Sequence, residues 1–331
     1  MIEAAIVGLG WWGKKLAEVA RASRHIRFTL GVEPDPATAR QAAETFGFPV
    51  VPDYARALGD ARIRAVVLAT PHALHDDQIA AAAAAGKHVF CEKPLALTKA
   101  AAAQSVARCR EAGLVLGLGH ERRFEPPVAG MLRAVRAGEL GTILQVEANF
   151  SHDRFTRLDA GNWRLSKDNA PAGGMTATGI HMLDLATAML GEGAFALASS
   201  ETLASDIANG DSTCALVKYK SGATAYVATM LATPFISRFA VYGREGWIEI
   251  RDKAHVEAPA GWTVLRAVAD GTVSHADVAN SEPVRDNLEA FARAAAGEAA
   301  YPIATGEMIA NAAVMEAIFR SAESGRIEPV P

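Results

Sequence analysis

Apolar and polar positions divide the chain into two regions with different patterns. In the first, short apolar runs alternate with alanine-rich helical segments; the runs cover residues 4–7, 28–32, 65–69, 88–90 and 114–118. Strands that alternate with helices of this length are typical of βαβ units. The pattern therefore predicts a doubly wound parallel sheet with helices on both faces.

After Arg123 the pattern changes to successive strands with short connections. A helix at 128–137, a strand at 143–150, a polar stretch at 151–174 and a helix at 179–190 precede strands from 194 to 268 and helices at 287–296 and 307–324. Strands separated by turn signals such as Asn209-Gly210 favour an antiparallel sheet. We predict an α/β protein with one domain over residues 1–122 and a second, with a large and mostly antiparallel open sheet, over residues 123–331.

Composition and charge exclude several classes of protein. The 331 residues are 50% hydrophobic and carry a net charge of −4, which fits two cores and argues against a nucleic-acid partner. Cys91, Cys109 and Cys214 are widely spaced, so we expect a reducing, cytoplasmic compartment and neither disulfides nor a thiolate zinc site. Apolar runs stay shorter than the roughly 18 residues of a membrane span. His72 and His75 form no recognisable metal set, and no metal is expected.

A glycine-rich turn follows the first predicted strand and opens a helix. Its sequence is Gly8-Leu9-Gly10-Trp11-Trp12-Gly13, and Glu33 ends the second strand about 20 residues further on. Glycines at this spacing allow a tight turn and a close approach to a pyrophosphate at the helix N-terminus. Glu33 can accept hydrogen bonds from ribose hydroxyls and repels a 2′-phosphate. The sequence therefore predicts a dinucleotide site that prefers NAD to NADP.

Two further motifs lie at the carboxyl ends of predicted parallel strands, where open α/β sheets bind ligands. Thr70-Pro71 ends one strand and precedes His75, and Glu92-Lys93-Pro94 follows the next. We assign Thr70, Pro71, His75, Glu92, Lys93 and Pro94 to the cofactor site. Glu92 is expected to buttress Lys93 rather than to contact substrate.

These motifs resemble those of the Gfo/Idh/MocA oxidoreductases, the family of glucose-fructose oxidoreductase and inositol dehydrogenase. The similarity covers essentially the whole chain and includes Gly8–Gly13, Thr70-Pro71, Glu92-Lys93-Pro94, Arg123-Phe124, Trp163-Arg164 and Gly179-Ile180-His181-Met182-Leu183-Asp184. The resemblance implies a Rossmann domain followed by an α/β domain with an open sheet. It also implies NAD(P)-dependent oxidation or reduction at a carbinol, usually of a sugar or cyclitol, with Lys93 and His181 at the reacting carbon.

Two positions depart from the family pattern. Ala177 stands four residues before His181, where many members have aspartate, and Glu121 stands where many have asparagine. Both departures concern the substrate more than the hydride chemistry. An apolar wall at Ala177 beside cationic neighbours predicts that sugar acids or carboxylated cyclic diols are better substrates than neutral hexoses.

The candidate substrate site combines a histidine with several cations. His181 lies in the first turn of the predicted helix, where the helix dipole favours a neutral ring, and Asp184 shares its face and can orient it. A buried structural histidine is the alternative. Substrate contacts are predicted for Arg122, Arg123, Trp163, Arg164 and His181, whereas the orientation of Arg154 and Arg157 stays open.

The predicted reaction is NAD(P)-dependent dehydrogenation of a CH–OH group. His181 takes the hydroxyl proton, Lys93 polarises the oxygen, and hydride passes to the nicotinamide. The alternatives are a cofactor-binding sensor of the same fold without turnover and an NAD-dependent glycoside hydrolase. A small molecule is the expected substrate, and the open sheet predicts a homodimer or homotetramer.

Overall fold

The chain folds into two compact units in the computed structural model, which describes residues 1–256 and 258–331. Unit 1 contains residues 1–121 and 282–309, and unit 2 contains residues 122–281 and 310–331. The first crossing lies close to the predicted boundary. The prediction that all later residues belong to the second domain is wrong, because residues 282–309 return to unit 1.

Unit 1 begins with alternating strands and helices, as predicted. They are β1 (Ile2–Val7), α1 (Trp11–Ala20), β2 (Ile26–Val32), α2 (Pro36–Phe46), β3 (Val50–Val51), α3 (Tyr54–Gly59), β4 (Ala65–Leu68), α4 (His75–Ala84), β5 (His88–Cys91), α5 (Lys99–Glu111) and β6 (Leu116–Leu118). The strands form a parallel sheet in the order β3-β2-β1-β4-β5-β6. The strand order reverses between β1 and β4, and open sheets bind ligands at the carboxyl ends beside such a reversal.

Later elements belong mainly to unit 2. They are α6 (Pro126–Arg136), β7 (Ile143–Ser151), α7 (Ile180–Leu190), β8 (Gly193–Glu201), β9 (Ser212–Tyr219), β10 (Thr224–Met230), β11 (Ile236–Gly243), β12 (Gly246–Asp252), β13 (Trp262–Val268), β14 (Val273–Val278), α8 (Pro283–Ala295), α9 (Thr305–Ser324) and β15 (Glu328–Pro329). The second sheet has the order β14-β13-β12-β11-β7-β10-β9-β8-β15. Its pairs are antiparallel except β7 with β10, which confirms the predicted fold class.

One face of the second sheet carries the core of unit 2. In β10, Ala225 and Val227 are buried against this core while Tyr226, which points to the other face, is 44% exposed. Helix α7 is buried over its first eight residues because it packs against the inner face of β7 and β10. None of the helices in the described ranges combines the length and apolarity of a membrane span.

Helix α8 packs in the core of unit 1, which explains the error in the predicted boundary. Leu288 and Phe291 are fully buried there, and the Phe291 ring meets the edge of Phe90 at 5.6 Å. The segment also satisfies the edge strand: Leu118 donates its N–H to the Tyr301 hydroxyl at 3.1 Å, and its carbonyl accepts from the Asn287 amide at 3.0 Å. Asn287, Phe291 and Tyr301 therefore pack against strands that are distant from them in the sequence.

Candidate active site

The glycine-rich turn leaves open space where a phosphate group would lie. Gly8 has a φ of +86°, and a Cβ there would lie 2.8 Å from the carbonyl oxygen of Ala69. A Cβ at Gly13 would overlap the carbonyl of Gly8, whereas a Cβ at Gly10 would meet no described atom within 4 Å. Gly8 and Gly13 thus allow the turn to close, and Gly10 keeps its outer side accessible. Within the described chain no side chain caps α1, so its first amides suit a pyrophosphate.

Glu33 lies directly after β2 and is held against the same turn. Its carboxylate accepts from the Leu9 N–H at 2.8 Å and from the Asp35 N–H at 3.1 Å. Asp35 caps α2, and the hydrogen bond from Thr38 lowers the pKa of its carboxyl below the ordinary value. Two carboxylates, Glu33 and Asp35, therefore occupy the loop after β2.

Thr70 and His75 organise the loops beyond β4 and β5. Thr70 donates its hydroxyl to Gln78 Oε1 at 2.6 Å. The His75 ring, 1% exposed, lies with Nδ1 2.9 Å from the Pro94 carbonyl and Nε2 3.1 Å from the Thr70 carbonyl. Burial lowers the pKa of His75, so the ring is neutral near pH 7 and donates to one of these carbonyls. The ring therefore connects the two loops, and the predicted place of His75 in the cofactor site stays a prediction.

Lys93 lies at the end of β5 beside a buried carboxyl group. It is half-buried, and its backbone N–H donates to Glu92 Oε2 at 3.2 Å. Glu92 is 6% exposed. Burial and then the charge of Glu121 raise the pKa of Glu92 to about 8, against the opposing effects of Trp12 and Lys93. The raised pKa favours the protonated form of Glu92 near neutral pH, and its support of Lys93 stays a prediction.

A π-helical turn, Met175–Gly179, precedes the histidine of the second unit. Helix α7 begins directly after this turn at Ile180, so His181 lies in its first turn, and the predicted effect of the helix dipole on the ring stays a prediction. The Thr178 hydroxyl donates to the Phe150 carbonyl at 2.7 Å and fixes the turn against β7. Within this turn Ala177 alone is partly exposed, and His181 is 4% exposed. π-Helical turns are frequent at functional sites.

Asp184 and Arg123 form a buried ion pair in unit 2. Arg123 donates from Nε to Asp184 Oδ2 and from Nη2 to Oδ1, both at 2.7 Å. The side chains are 5% and 1% exposed. The bidentate geometry makes Asp184 the counter-ion of Arg123, whereas the sequence predicted an orienting partner for His181.

Arg122 is likewise committed to carboxylates within unit 2. Its Nη2 donates to both oxygens of Asp252 at 2.9 and 2.7 Å, and its guanidinium lies 5.2 Å from the centre of the Phe150 ring. Arg122 and Arg123, both predicted to contact substrate, thus each face a carboxylate of the protein, and their substrate contacts stay predictions. The expectation of carboxylated substrates loses its main support.

Three histidines surround the Phe150 ring in unit 2. His152, His181 and His255 lie with ring centres 6.1, 6.3 and 5.8 Å from that of Phe150, and His152 and His255 are 5.2 Å apart. They come from the end of β7, from α7 and from the loop after β12. Sequence reasoning missed His255, because an isolated histidine in an irregular loop carries no periodic or motif signal.

Trp163 and Arg164 lie on a short turn in the polar stretch. The guanidinium of Arg164 lies 4.3 Å from the centre of the Trp163 ring, and both side chains are half-buried. Arg157 is 76% exposed and pairs with Asp153 at 3.2 Å, so it belongs to the solvated surface. Across residues 1–256 and 258–331, no three His, Cys, Asp or Glu side chains are grouped to hold a metal ion.

Comparisons with known proteins match both halves of the chain. A family model described as an oxidoreductase family with an NAD-binding Rossmann fold matches residues 2–120, and one described as the GFO/IDH/MocA C-terminal domain matches residues 128–249. A D-xylose 1-dehydrogenase (NADP(+)) of Haloferax volcanii is 30% identical over 94% of this chain and 94% of its own length. A 1,5-anhydro-D-fructose reductase of Ensifer adhaerens is 31% identical over 76% of this chain and 74% of its own.

A solved structure extends the same similarity to three dimensions. The aldose-aldose oxidoreductase of Caulobacter crescentus, crystallised with glycerol, superposes with a TM-score of 0.87 at 26% identity and covers 99% of both chains. The family models thus cover the first sheet and the part of the second sheet up to residue 249, and the Haloferax relative extends over 94% of the chain. The chain belongs to the Gfo/Idh/MocA family of oxidoreductases.

Proposed function

We propose that this protein transfers a hydride between NAD and a carbinol of a sugar or cyclitol. The observation that carries the proposal is the turn Gly8–Gly13, open at Gly10, in the same unit as Lys93 at the end of β5. Relatives named as a xylose dehydrogenase and an anhydrofructose reductase support a sugar substrate. The compensated charges of Arg122 and Arg123 favour a neutral substrate over a sugar acid.

The cofactor would be held by the residues that shape its site. The amides of the turn and of the first turn of α1 would bind the pyrophosphate, and Glu33 would accept from the ribose hydroxyls. Thr70, Pro71 and Pro94 would line the site through backbone held by His75. When bound, a nicotinamide cofactor supplies the hydride acceptor or donor.

Lys93 and His181 are the proposed catalytic residues. Lys93 would donate a hydrogen bond to the substrate oxygen and stabilise the charge that develops on it, and His181 would hold the hydroxyl proton. The histidines and Phe150 offer N–H donors and an aromatic face, the mixture of polar and apolar contacts that a hydroxylated ring requires. Arg164 and Trp163 remain candidate substrate contacts.

The preference for NAD over NADP rests on the loop after β2. Glu33 and Asp35 are both carboxylates, and Pro34 between them supplies no cation for a 2′-phosphate. The Haloferax relative is named for NADP(+). Either members of the family differ in their cofactor, or the loop that corresponds to the one after β2 binds the ribose differently in that relative. Direct titration of both cofactors decides the question.

The outward face of the second sheet is the proposed surface for self-association. Leu197, Leu216 and Tyr226 are paired across β8, β9 and β10, and each is between 41% and 44% exposed. An apolar row of this kind is normally covered, and a second copy of the same face is the simplest cover. We therefore propose a homodimer or a homotetramer built through this sheet.

The activity is tested by following NADH formation with D-xylose, D-glucose, myo-inositol and D-gluconate. Lys93→Ala and His181→Ala should each lower kcat by about 100-fold or more, the scale of a positioned acid or base. His181→Ala should bind NAD normally in calorimetry, because His181 lies outside unit 1. NAD binding without turnover on a broad substrate panel would favour a sensor and contradict the proposed enzyme.

A further inference from the structure

The loop between β8 and β9 packs against the polar stretch that precedes α7. The two segments share a small apolar core of three buried side chains, one from the stretch, one from the loop and one directly after β10: Leu165, Ile207 and Leu231. This core is separate from the one that lies on the inner face of the second sheet. Small separate cores of this kind are common beneath long irregular segments. The loop and the stretch therefore pack as one module.

Asn209 connects the two segments with both hydrogens of its side-chain amide. Its Nδ2 donates to the Arg164 carbonyl at 2.9 Å and to the Ala170 carbonyl at 2.6 Å, and the residue is 3% exposed. Its Oδ1 is also buried, yet it accepts no hydrogen bond from the part of the chain that the structure describes. A buried acceptor without a partner is unfavourable, so the two donors are what this amide contributes.

This arrangement differs from the turn that the sequence predicts at Asn209-Gly210. A turn asparagine hydrogen-bonds to backbone groups close to it in the sequence, whereas these two carbonyls lie 45 and 39 residues before Asn209. The carbonyl of Gly210 likewise lies against Gly173, where a Cβ would overlap it. The loop thus contacts the stretch at Arg164, at Ala170 and directly before the π-helical turn.

The loop is itself held in place, so it can anchor the stretch. The Asp211 carboxylate accepts from three groups of the loop, the N–H of Leu203 at 2.9 Å, the N–H of Ala204 at 2.8 Å and the hydroxyl of Ser205 at 2.8 Å. The backbone of Asp211 donates to the Glu201 carbonyl at 2.9 Å and accepts from the Leu231 N–H at 2.8 Å. Asn209 therefore extends from a loop that is fixed to the second sheet.

We propose that Asn209 is a positioning residue that holds residues 164–170 against this loop and thereby fixes Trp163 and Arg164 for contact with the substrate. Asn209 binds the backbone of Arg164, and the Arg164 guanidinium lies 4.3 Å from the centre of the Trp163 ring. Fixing that backbone therefore restricts both side chains at once. The part of this proposal that concerns the substrate rests on the proposed function; the anchoring of residues 164–170 does not.

Hydrogen exchange followed by mass spectrometry tests the anchoring without turnover. Asn209→Asp keeps the size of the side chain but places an oxygen against two carbonyls, and Asn209→Ala removes the donors alone. In both variants the amides of residues 162–172 should exchange about tenfold faster than in the wild type, because opening this segment no longer breaks the two hydrogen bonds. Asn280→Asp, the same change at an exposed position after β14, should leave this exchange unaltered.

The outcomes of this experiment are distinct. Wild-type exchange of residues 162–172 in Asn209→Ala would overturn the proposal. Uniform acceleration over the whole of unit 2 would also overturn it, because Asn209 would then stabilise the fold and not this segment. If Asn209→Asp does not fold, Asn209→Ala alone decides.

Fluorine NMR of protein labelled with 5-fluorotryptophan measures the placement of Trp163 directly. The chain contains five tryptophans, and Trp163→Phe identifies the resonance of Trp163. In Asn209→Ala this resonance should shift or broaden while the other tryptophan resonances keep their positions. An unchanged Trp163 resonance would show that Asn209 does not position this side chain.

The closing experiment is a double-mutant cycle on the KM for the sugar substrate. Asn209→Ala should raise KM about tenfold and leave kcat and the Kd for NAD within about twofold, because the segment is proposed to bind substrate and lies outside unit 1. In a background that carries Trp163→Ala and Arg164→Ala, the same change should have little further effect. Equal effects in both backgrounds, or a loss confined to kcat, would overturn the positioning role. A wild type without turnover would refute the proposed function instead, and the exchange rates and fluorine spectra would still decide the role of Asn209.

Discussion

At the scale of single residues, the proposed preference for NAD over NADP depends on Glu33. Its carboxylate is fixed by the amides of Leu9 and Asp35, so it cannot turn away from a 2′-phosphate without losing both hydrogen bonds. NAD should bind at least about tenfold more tightly than NADP, or about 1.4 kcal/mol. Glu33→Ala should remove most of this preference in calorimetric titrations, whereas Glu44→Ala on the exposed side of α2 should keep it. Equal wild-type affinities would refute the assignment.

The pair of Arg123 and Asp184 predicts a large loss of stability on neutralisation. Asp184→Asn leaves a buried guanidinium without its carboxylate, which costs about 3–5 kcal/mol. The matched change Asp153→Asn breaks an exposed pair with Arg157 and should cost at most about 1 kcal/mol. Urea unfolding followed by circular dichroism measures both. Similar losses in the two variants would mean that Arg123 finds another partner.

The roles of residues that depend on a local turn could be predicted from the sequence. The contacts between residues that are distant in the sequence could not. Gly8 and Gly13 were predicted because the turn that needs them is local. Arg122 was predicted as a cation open to substrate, but its partner Asp252 lies 130 positions away and no sequence pattern links them. Likewise, no sequence pattern links Phe150 with His255, whose ring approaches from the loop after β12.

At the scale of elements, the π-helical turn before α7 shows how tertiary packing overrides a local pattern. The sequence predicts that the helix begins at Gly179. In the structure, helical backbone including the π-helical turn already begins at Gly174, next to Gly173 and to Ala172, which has a φ of 52°. A Cβ at Gly173 would overlap the Gly210 carbonyl, so this segment is set by its contact with a distant loop. The α-helix was predicted to within one residue at its start and correctly at its end, Leu190, whereas the preceding π-helical turn was not predicted.

From the packing of α8 we predict that a substitution in this helix destabilises strands that are distant from it in the sequence. Phe291→Ala removes a fully buried ring that packs on Phe90 and over Gly117, and should cost about 3–5 kcal/mol. Hydrogen exchange should accelerate most in β5 and β6 of unit 1, although strands β7 to β14 of the second sheet separate the substitution from them in the sequence. Leu203→Ala, at a site 74% exposed, is the control and should change stability by less than about 0.5 kcal/mol. Acceleration confined to unit 2 would contradict the assignment of α8.

At the scale of the whole molecule, the chain leaves unit 1 after Glu121 and returns at Glu282 before ending in unit 2. The order of strands and helices, which periodicity reveals, was enough to predict both sheets. The assignment of residues 282–309 to unit 1 could not be predicted, because amphipathic helices have the same sequence pattern whichever core they cover. The hydrophobic pattern therefore predicts the helices and strands. Only the contacts of Leu288, Phe291 and Tyr301 show that residues 282–309 pack against the first sheet.

The outward face of the second sheet sets the predicted assembly state. Leu216 lies at the centre of the apolar row, opposite Leu197 on one side and Tyr226 on the other. If two copies meet there, Leu216→Lys places an unpaired charge in the buried interface and should weaken association by about 100-fold or more, equivalent to about 2.7 kcal/mol. Sedimentation equilibrium measures the change, with Leu203→Lys as the control because Leu203 is exposed and lies outside the strands of this sheet. Folding of the variant is checked by its far-ultraviolet circular dichroism. A monomeric wild type, or an oligomer that Leu216→Lys leaves intact, would place the interface elsewhere and leave the apolar row to another partner.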